Sequence, residues 1–161
     1  VLAELKARAD VVVDTTELNV HGLATEITEL FSVSGPVTLR LTLMSFGFKY
    51  GVPLDADYVF DMRFLPNPYW VPELRGHTGQ EETVAEWVLR QDGSAEFLDA
   101  VQALFVPVTA GYVRENRHYV TLAVGCTGGK HRSVATAEAL AERLAGDEVS
   151  TFVVHRVLGR E

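Results

Sequence analysis

The chain has 161 residues, 22 acidic against 14 basic side chains, five histidines and one cysteine, so its formal net charge is −8. This length accommodates one domain, or one domain plus a fragment; the single thiol excludes an internal disulfide, and no apolar run reaches the ~20 residues of a membrane helix. The acidic charge argues against the broad basic surface of a nucleic-acid binder, and the lone cysteine without a signal-peptide pattern predicts a cytoplasmic protein.

The first 34 residues are predicted to belong to a preceding domain. A run of three valines is typical of a buried strand, and Asp14 with Glu17 has the spacing of a capping box ahead of a helical pattern. Ser-Gly-Pro at residues 34–36 then ends the helix, because Gly and Pro interrupt regular structure. We therefore divide the chain into the last strand and helix of one domain at 1–34 and a second domain at 35–161.

Two short strands and two irregular segments are predicted next. Apolar residues alternate with polar ones over 37–43, which is typical of a half-buried strand, and residues 58–62 form a second short strand. Residues 45–53 combine aromatic side chains with Gly and Pro, so we expect a loop that is shaped for contact. Residues 63–72 contain three prolines, which exclude a regular helix or strand.

Two helices follow the proline-rich segment. Thr78 and Glu81 have capping-box spacing, which predicts a helix that continues to about Arg90. A second helical pattern extends over residues 95–116, and we expect Pro107 to kink or divide that helix.

The last third of the chain gives the clearest pattern. Residues 118–125 are predicted to form a strand, 126–130 a glycine loop, 131–145 a helix and 149–156 a closing strand. This order is a βαβ unit, which implies a parallel pair of strands with a right-handed crossover. The fold class is therefore α/β, with a mixed or mostly parallel sheet, flanking helices and a C-terminal unit of strand, phosphate loop, helix and strand.

The loop of this C-terminal unit has the composition of an anion-binding site. Adjacent Gly128 and Gly129 allow backbone N–H groups to approach an anion, and the following helix N-terminus carries partial positive charge. Lys130, His131 and Arg132 add side-chain donors at the carboxyl end of a strand, where α/β proteins bind ligands. A phosphate site is predicted, the alternative being a tight turn with exposed basic residues. A Walker A loop is excluded, because the lysine is not followed by Ser or Thr.

The same loop permits a catalytic interpretation. Cys126, which begins the loop and counts among its binding candidates, precedes Arg132 and Ser133 with the Cys-x5-Arg-Ser spacing of cysteine-dependent phosphatases. A helix N-terminus and nearby cations lower a thiol pKa and so produce a nucleophile. The alternative is a small buried residue that closes a strand. No local pattern identifies a general acid, for which Asp61 and Asp92 are the carboxylates considered.

Several polar residues outside the loop are further candidates. Asp61 and Arg63 are two residues apart at a strand end, where they either bind a sugar hydroxyl and a phosphate or form an ion pair with each other. Arg90 ends a helix, where a cation also complements the helix dipole. Lys49 and Tyr69 lie in the two irregular segments and are candidates to line the same cleft.

Neither a metal site nor an RNA-binding tail is predicted. The five histidines show no ligand spacing, and Cys126 has no second thiol to share a metal with it. Basic residues near the C-terminus are candidates to contact RNA phosphates. However, the chain ends Leu-Gly-Arg-Glu without a basic tail, and its helices are acidic.

Four longer strings of residues resemble the C-terminal domain of the RapZ/YvcJ family of bacterial nucleotide-binding proteins, which are also called RNase adapter proteins. These strings are SFGFKYG at 45–51, DADYVFDMRFLPNP at 55–68, the segment from Leu74 to Gly79, and GCTGGKHRS at 125–133. They are long, ordered and spread over nearly the whole chain. The match is therefore much more specific than the loop pattern alone.

The resemblance implies a regulatory function. Full-length family members join a P-loop kinase-like domain, which binds and hydrolyses ATP and GTP, to a domain of this kind. Nucleotide hydrolysis and any cofactor are therefore not expected in this chain, whose residues 1–34 match the end of the first domain. In enterobacterial members the C-terminal domain senses glucosamine-6-phosphate and presents a small RNA to an endoribonuclease. We expect a phosphorylated amino sugar as the ligand, a regulatory protein partner and a homo-oligomer, with RNA as the alternative partner.

Carried over by position, the family's roles fall on residues already singled out. The phosphate is expected to contact Thr127, Gly128, Gly129, His131 and Arg132. Asp61, Tyr69 and Arg90 are expected to approach the sugar or complete the pocket. Tyr69 stands where the enterobacterial sequence has histidine, and the basic tail is missing. Both departures favour a regulatory member of the Gram-positive type, without the known RNA partner.

Overall fold

A computed structural model describes residues 39–159 continuously, together with residues 13, 15–16, 19–20, 22–23 and 27. The chain divides into two compact units, Val1–Pro36 and Val37–Glu161. The strand predicted at the N-terminus, the capping box of Asp14 and Glu17 and most of the helix that follows lie outside the described residues. The assignment of residues 1–34 to a preceding domain therefore stays a prediction.

A sheet of four parallel strands organises the second unit. The strands are β1 (Leu39–Gly47), β2 (Tyr58–Asp61), β3 (Tyr119–Cys126) and β4 (Val149–His155). Their order in the sheet is β2-β3-β1-β4, and every neighbouring pair is parallel. The predicted α/β class with a mostly parallel sheet is therefore confirmed.

The sheet order differs from the simplest form of the predicted βαβ unit. Strands β3 and β4 are parallel, but they are not hydrogen-bonded to each other, because β1 lies between them. A strand–helix–strand pattern requires only that the two strands share a direction, and it leaves room for a third strand between them. The earliest strand of the described sheet is thus one of its two inner strands.

Strand β1 is longer than its alternating pattern predicts. It continues through Ser45, Phe46 and Gly47, which were expected to belong to an irregular loop and are instead fully or largely buried. These residues pair with Val124, Gly125 and Cys126 of β3. Pairing with a strand that lies far away in sequence supplies the hydrogen bonds that local propensity does not indicate.

Four α-helices accompany the sheet among the described residues. They are α1 (Pro72–Arg75), α2 (Glu82–Leu89), α3 (Ser94–Arg114) and α4 (Arg132–Leu144). Helix α2 begins later than predicted, although the Glu81 carboxylate does accept the Thr78 N–H at 2.7 Å, as in a capping box. The proline-rich segment forms only 3-10 turns and the short α1. Pro72 occupies the first position of α1, where its missing N–H is tolerated.

Pro107 lies inside α3 and does not divide it, so of the two predicted effects division is wrong and a kink stays a prediction. The helix is continuous from Ser94 to Arg114. Both Pro107 and Ala103, whose carbonyl loses its helical donor, are exposed. Water can therefore satisfy that carbonyl, which makes the proline tolerable at this position.

The core lies between the sheet and its helices. Leu39, Leu41 and Leu43 of β1 are fully buried in the cluster that also contains Leu140 and Leu144 of α4. The alternate residues of the sheet point to its other face, where aromatic and aliphatic side chains such as those of Tyr119, Phe152 and Val154 are exposed. No helix in the described part of the chain is long and apolar enough to cross a membrane.

Parallel strands bring their following segments to one edge of the sheet. The residues that follow β1, β2, β3 and β4 all leave the sheet at its carboxyl end. This edge contains the glycine loop that connects β3 to α4. Ligands of open α/β sheets bind at the same position.

Candidate anion-binding site

Residues 127–131, which we call the cradle loop, lie in direct backbone contact with the end of β1. A Cβ atom at Gly47 would lie 2.7 Å from the carbonyl carbon of Gly128, and one at Gly129 would lie 2.6 Å from the backbone nitrogen of Gly47. Gly129 also has a φ of 75°, which glycine adopts without strain. Only glycine therefore fits at these two positions, and the path of the loop is fixed against the strand.

The cradle loop ends at the N-terminus of α4. His131 is the N-cap residue and provides no side-chain hydrogen bond to the helix. The first N–H groups of an α-helix have no partner within the helix, and they carry partial positive charge. A Cβ atom at Gly128 would meet no other atom within 4 Å, so the loop borders open space beside this helix terminus. An anion that enters this space would meet backbone donors.

Arg132 points into the interior of the protein. Its side chain is 4% exposed. One terminal nitrogen donates to the carbonyl of Leu65 at 2.8 Å, and the other donates to the Thr127 hydroxyl at 3.2 Å. Its Nε is buried without a hydrogen-bond partner among the described residues. Arg132 therefore connects the cradle loop to the segment after β2, and its terminal nitrogens already have protein acceptors.

A second segment covers the cradle loop from the side. Lys130 Nζ donates to the carbonyl of Gly76 at 3.2 Å, and the carbonyl of Lys130 accepts the Gly79 N–H at 2.9 Å. A Cβ atom at Gly79 would lie 2.6 Å from the backbone nitrogen of Ala135 in α4. Residues 76–79, which belong to one of the four strings that carry the family resemblance, therefore form a wall of the site, a role that the sequence analysis did not predict.

His131 is buried in a neutral form. Its side chain is 7% exposed, and its Nε2 atom has no hydrogen-bond partner within the described part of the structure. Burial lowers the pKa of His131, the charges of Lys130 and Arg132 lower it further, and the carbonyls of Arg75 and His77 offset this in part. The imidazole therefore enters the site as a neutral group at pH 7.

Cys126 lies beneath the cradle loop. Its Sγ atom is 3.1 Å from the Ser133 hydroxyl and accepts the Gly129 N–H at 3.3 Å. Burial by itself raises the pKa of the thiol, but hydrogen bonds from Ser133 and Gly129, with the charge of Arg132, bring the net pKa below its ordinary value. The thiol is buried, so the protein itself provides the contacts that favour the thiolate.

Asp61 and Arg63 form an ion pair beside the loop. Arg63 donates to both carboxylate oxygens of Asp61, with its Nη2 at 2.7 Å from Oδ2. Hydrogen bonds from the Arg63 side chain are the main cause that lowers the pKa of Asp61. The guanidinium also lies 4.0 Å from the centre of the Phe48 ring. Asp61 pairs in register with Gly125, so the ion pair adjoins the base of the loop.

Tyr69 and Arg90 are placed differently from the residues above. Tyr69 is half exposed; Arg75 lies 4.8 Å from its ring centre and donates to its carbonyl at 2.9 Å. Arg90 forms an exposed ion pair with Glu86 one turn earlier in α2, at 2.9 Å. Within residues 39–159, no hydrogen bond or ion pair joins Arg90 to the cradle loop. The ligand-binding roles of both residues stay predictions.

The structure adds three contributors that sequence patterns did not identify. Gly47 and Gly79 permit close backbone approach, and the carbonyl of Leu65 holds Arg132. For Gly47, the available signal was a glycine that lies among aromatic residues. For Leu65 there was no such signal, because nothing in the sequence indicates which carbonyl an arginine will contact. No three His, Cys, Asp or Glu side chains in the described part of the chain come together as a metal site.

We expect His131 to make the stability of this domain depend on pH. The unfolded chain takes up a proton near pH 6.5, whereas the buried imidazole resists it, so stability is complete above that pH and falls as the pH decreases. Urea unfolding of the wild type and of His131→Asn between pH 5 and 8 measures the effect. The loss of unfolding free energy at low pH should be smaller in His131→Asn than in the wild type and the control His118→Asn. Equal slopes in all three proteins would contradict the assignment.

Comparison with known proteins gives long and close matches. A nucleotide-binding protein of Paenarthrobacter aurescens strain TC1 is 62% identical over 162 residues, which cover 100% of this chain and 53% of the relative. A nucleotide-binding protein of Renibacterium salmoninarum is 60% identical, with coverages of 100% and 53%. One of Streptomyces coelicolor is 58% identical, with coverages of 99% and 54%. The chain thus spans about half the length of the curated relatives it matches.

The family profile described as the RapZ C-terminal domain matches residues 39–159. This range begins with β1, ends after β4 and contains the cradle loop together with every segment that contacts it. The resemblance inferred from the four strings of residues is therefore confirmed. The chain belongs to the RapZ family and contains its C-terminal domain.

Proposed function

We propose that this domain binds a phosphorylated amino sugar of the glucosamine-6-phosphate type at the cradle loop and acts as a metabolite sensor without turning the ligand over. The observation that carries this proposal is the open space at Gly128, which lies three residues before the N-cap of α4. A phosphate monoester is a compact dianion of the kind that helix N-termini bind through backbone N–H groups.

The first turn of α4 supports a phosphate ligand in a second way. One N–H donor in this turn, Arg132 Nε, is buried and has no hydrogen-bond partner among the described residues. Buried polar atoms without partners are costly in a folded protein. The turn therefore has hydrogen-bonding capacity that the protein alone leaves unused. With Lys130 nearby, it concentrates positive charge in a chain whose net charge is −8.

The amino group of the sugar requires an acceptor close to the phosphate. The Asp61 side chain is 43% exposed and lies at the strand position paired with Gly125, next to the cradle loop. Its carboxylate is paired with Arg63 in the structure described here, so a sugar ammonium would compete with that arginine. A carboxylate beside a phosphate site favours an amino sugar over a neutral sugar phosphate.

The relatives are longer proteins than this chain. They bear the name nucleotide-binding protein and are about twice as long as this chain. We assign the ATP and GTP chemistry to their remaining half, since the loop here lacks the Walker A order of residues. The whole protein would then regulate amino-sugar and cell-envelope metabolism in response to the ligand, in the cytoplasm and with a protein partner or a second copy of itself.

Replacing Gly128 by alanine tests the position of the phosphate. The added methyl group has room in the protein, so the thermal midpoint should stay within about 2 °C of the wild type, but the methyl would occupy the space assigned to the ligand. Isothermal titration with glucosamine-6-phosphate should show millimolar or tighter binding by the wild type and at least about a tenfold loss in Gly128→Ala. The matched control is Gly146→Ala, which also has open space but lies at the far end of α4. Absence of wild-type binding, or equal binding by all three proteins, would overturn the proposal.

A sensor and a cysteine-dependent phosphatase differ in what Cys126 does. The thiol is buried against Ser133 and Gly129, so we expect no release of phosphate from an aryl phosphate, and we expect Cys126→Ser to bind glucosamine-6-phosphate within about threefold of the wild type. Phosphate release by the wild type that disappears in Cys126→Ser would instead establish the catalytic interpretation. Phosphate release has to be measured because the pKa of the Cys126 thiol is lowered, as it is in nucleophilic cysteines.

RNA binding is the second candidate function, and one surface observation favours it. Phe64, Tyr69 and Trp70 are exposed at the edge of the sheet that carries the cradle loop, and cations lie over two rings of this region, Arg75 over Tyr69 and Lys49 over Tyr50. Exposed rings with adjacent cations are the means by which proteins stack single-stranded bases.

Trp70→Ala tests this candidate. Fluorescence anisotropy with a labelled single-stranded RNA should show binding that weakens steeply with salt and a loss of about fivefold or more in Trp70→Ala. Phe152→Ala removes an exposed ring from the open face of the sheet and should bind as the wild type does. RNA that stays unbound at low salt, or equal losses in the two variants, would rule this function out for the domain.

A further inference from the structure

A chain of hydrogen bonds links four parts of the domain behind the cradle loop. Ser45 Oγ lies 2.8 Å from His155 Nδ1, and His155 Nε2 lies 2.9 Å from Glu138 Oε1. The side-chain amide of Gln80 donates to the same Glu138 oxygen at 3.1 Å. Ser45 belongs to β1, His155 to β4, Glu138 to α4 and Gln80 to the segment before α2.

The direction of the hydrogen bonds follows from the carboxylate. A carboxylate only accepts, so Nε2 of His155 must carry a proton in its contact with Glu138, and whenever the ring is neutral its Nδ1 accepts the Ser45 hydroxyl. Serine, histidine and glutamate also make up catalytic triads, but Ser45 is fully buried and its hydroxyl is out of reach of a substrate. The network is therefore suited to hold elements in place and not to carry out a reaction.

Two members of this network, Gln80 and His155, lie next to residues that contact the cradle loop. Gln80 follows Gly79, whose N–H donates to the carbonyl of Lys130 and whose backbone is pressed against the first turn of α4. His155 precedes Val157, a buried residue whose Cγ2 would lie 2.9 Å from a Cβ atom at Gly129. Residues 76–80 and 155–157 thus form two walls of the loop, and Glu138 contacts a residue of each.

We propose that Glu138 is a positioning residue, which sets the two walls of the cradle loop through Gln80 and His155 and thereby controls how tightly the loop holds its ligand. One carboxylate oxygen accepts from both segments, so its loss releases both at once. Hydrogen bonds to an ionised and partly buried acceptor are stronger than neutral ones. The effect on ligand affinity rests on the proposed function, whereas the effect on the walls does not.

The test compares Glu138→Ala with Glu138→Gln in the full 161-residue chain. Hydrogen exchange of the amides at 76–80, including the Gly79 N–H, should become about tenfold or more faster in Glu138→Ala while the core of β1 and β3 stays protected. Glu138→Gln keeps an oxygen that accepts from both partners, and it should restore exchange to within about threefold of the wild type. The matched control is Glu142→Ala, one turn further along α4 and exposed, which should leave the exchange of these amides unchanged.

The affinity for the ligand is the second measurement. It would stay the same if Glu138 only stabilised the fold. Glucosamine-6-phosphate should bind about tenfold more weakly to Glu138→Ala, and Glu138→Gln should recover most of the loss. Exchange at 76–80 that is equal in the wild type and Glu138→Ala would overturn the proposal, whether or not any ligand binds. If the wild type binds no sugar phosphate but exchange responds as expected, the proposed function fails and the positioning role of Glu138 stands.

A second variant covers the case in which Glu138→Ala does not fold. Gln80 is exposed, and Gln80→Ala removes only the branch of the network that leads to residues 76–80. Exchange of these amides should then become about threefold or more faster, with no change at residues 155–157. Unchanged exchange at 76–80 in Gln80→Ala would overturn the proposal by itself.

Discussion

Backbone atoms of β1 and of the cradle loop touch directly, and this contact sets the geometry of the carboxyl edge of the sheet. Gly47 and Gly129 approach so closely that neither position leaves room for a Cβ atom. Because β3 and β1 are the two inner strands, the loop that follows β3 is held over the middle of the sheet. The segments after β2 and β4 can then reach the loop from opposite sides, Val157 directly and Leu65 through Arg132, which also contacts Thr127.

The interior of this edge is unusually polar for a buried region, and hydrogen bonds offset the cost of that burial. Arg132 donates to the carbonyl of Leu65, Cys126 accepts the Gly129 N–H, and His155 contacts both Ser45 and Glu138. Each of these contacts connects residues from different elements or fixes the loop on itself. Buried polar groups that are fully paired specify one arrangement of the chain, whereas apolar contacts tolerate small shifts. A loop that must present backbone N–H groups at defined positions benefits from the first kind of contact.

Local signals in the sequence were sufficient for the C-terminal unit. A stretch rich in Val and Leu predicts β3, and the alanine-rich stretch up to Gly146 predicts α4, within one or two residues of the observed bounds. The extension of β1 to Gly47 was not predictable in this way, because it depends on pairing with residues near Cys126. The sheet order was not predictable either, because a βαβ pattern leaves the number of strands between its two members open. The same limit applies to Arg132, whose acceptor Leu65 is separated from it by 67 positions in sequence.

The Cys-x5-Arg-Ser spacing shows how one motif can have two physical meanings. In a phosphatase, the thiol and the arginine face the substrate. Here the Cys126 thiol lies under the loop and the terminal nitrogens of Arg132 have protein acceptors, while the backbone at Gly128 borders open space. The spacing places a small buried residue and a long cation on either side of a turn, which stabilises the turn whether or not it catalyses a reaction. An anion that binds such a loop meets backbone N–H groups first, and these donors bind charge without supplying a nucleophile. The orientation of these two side chains is therefore the feature on which the proposed binding role and the catalytic interpretation differ.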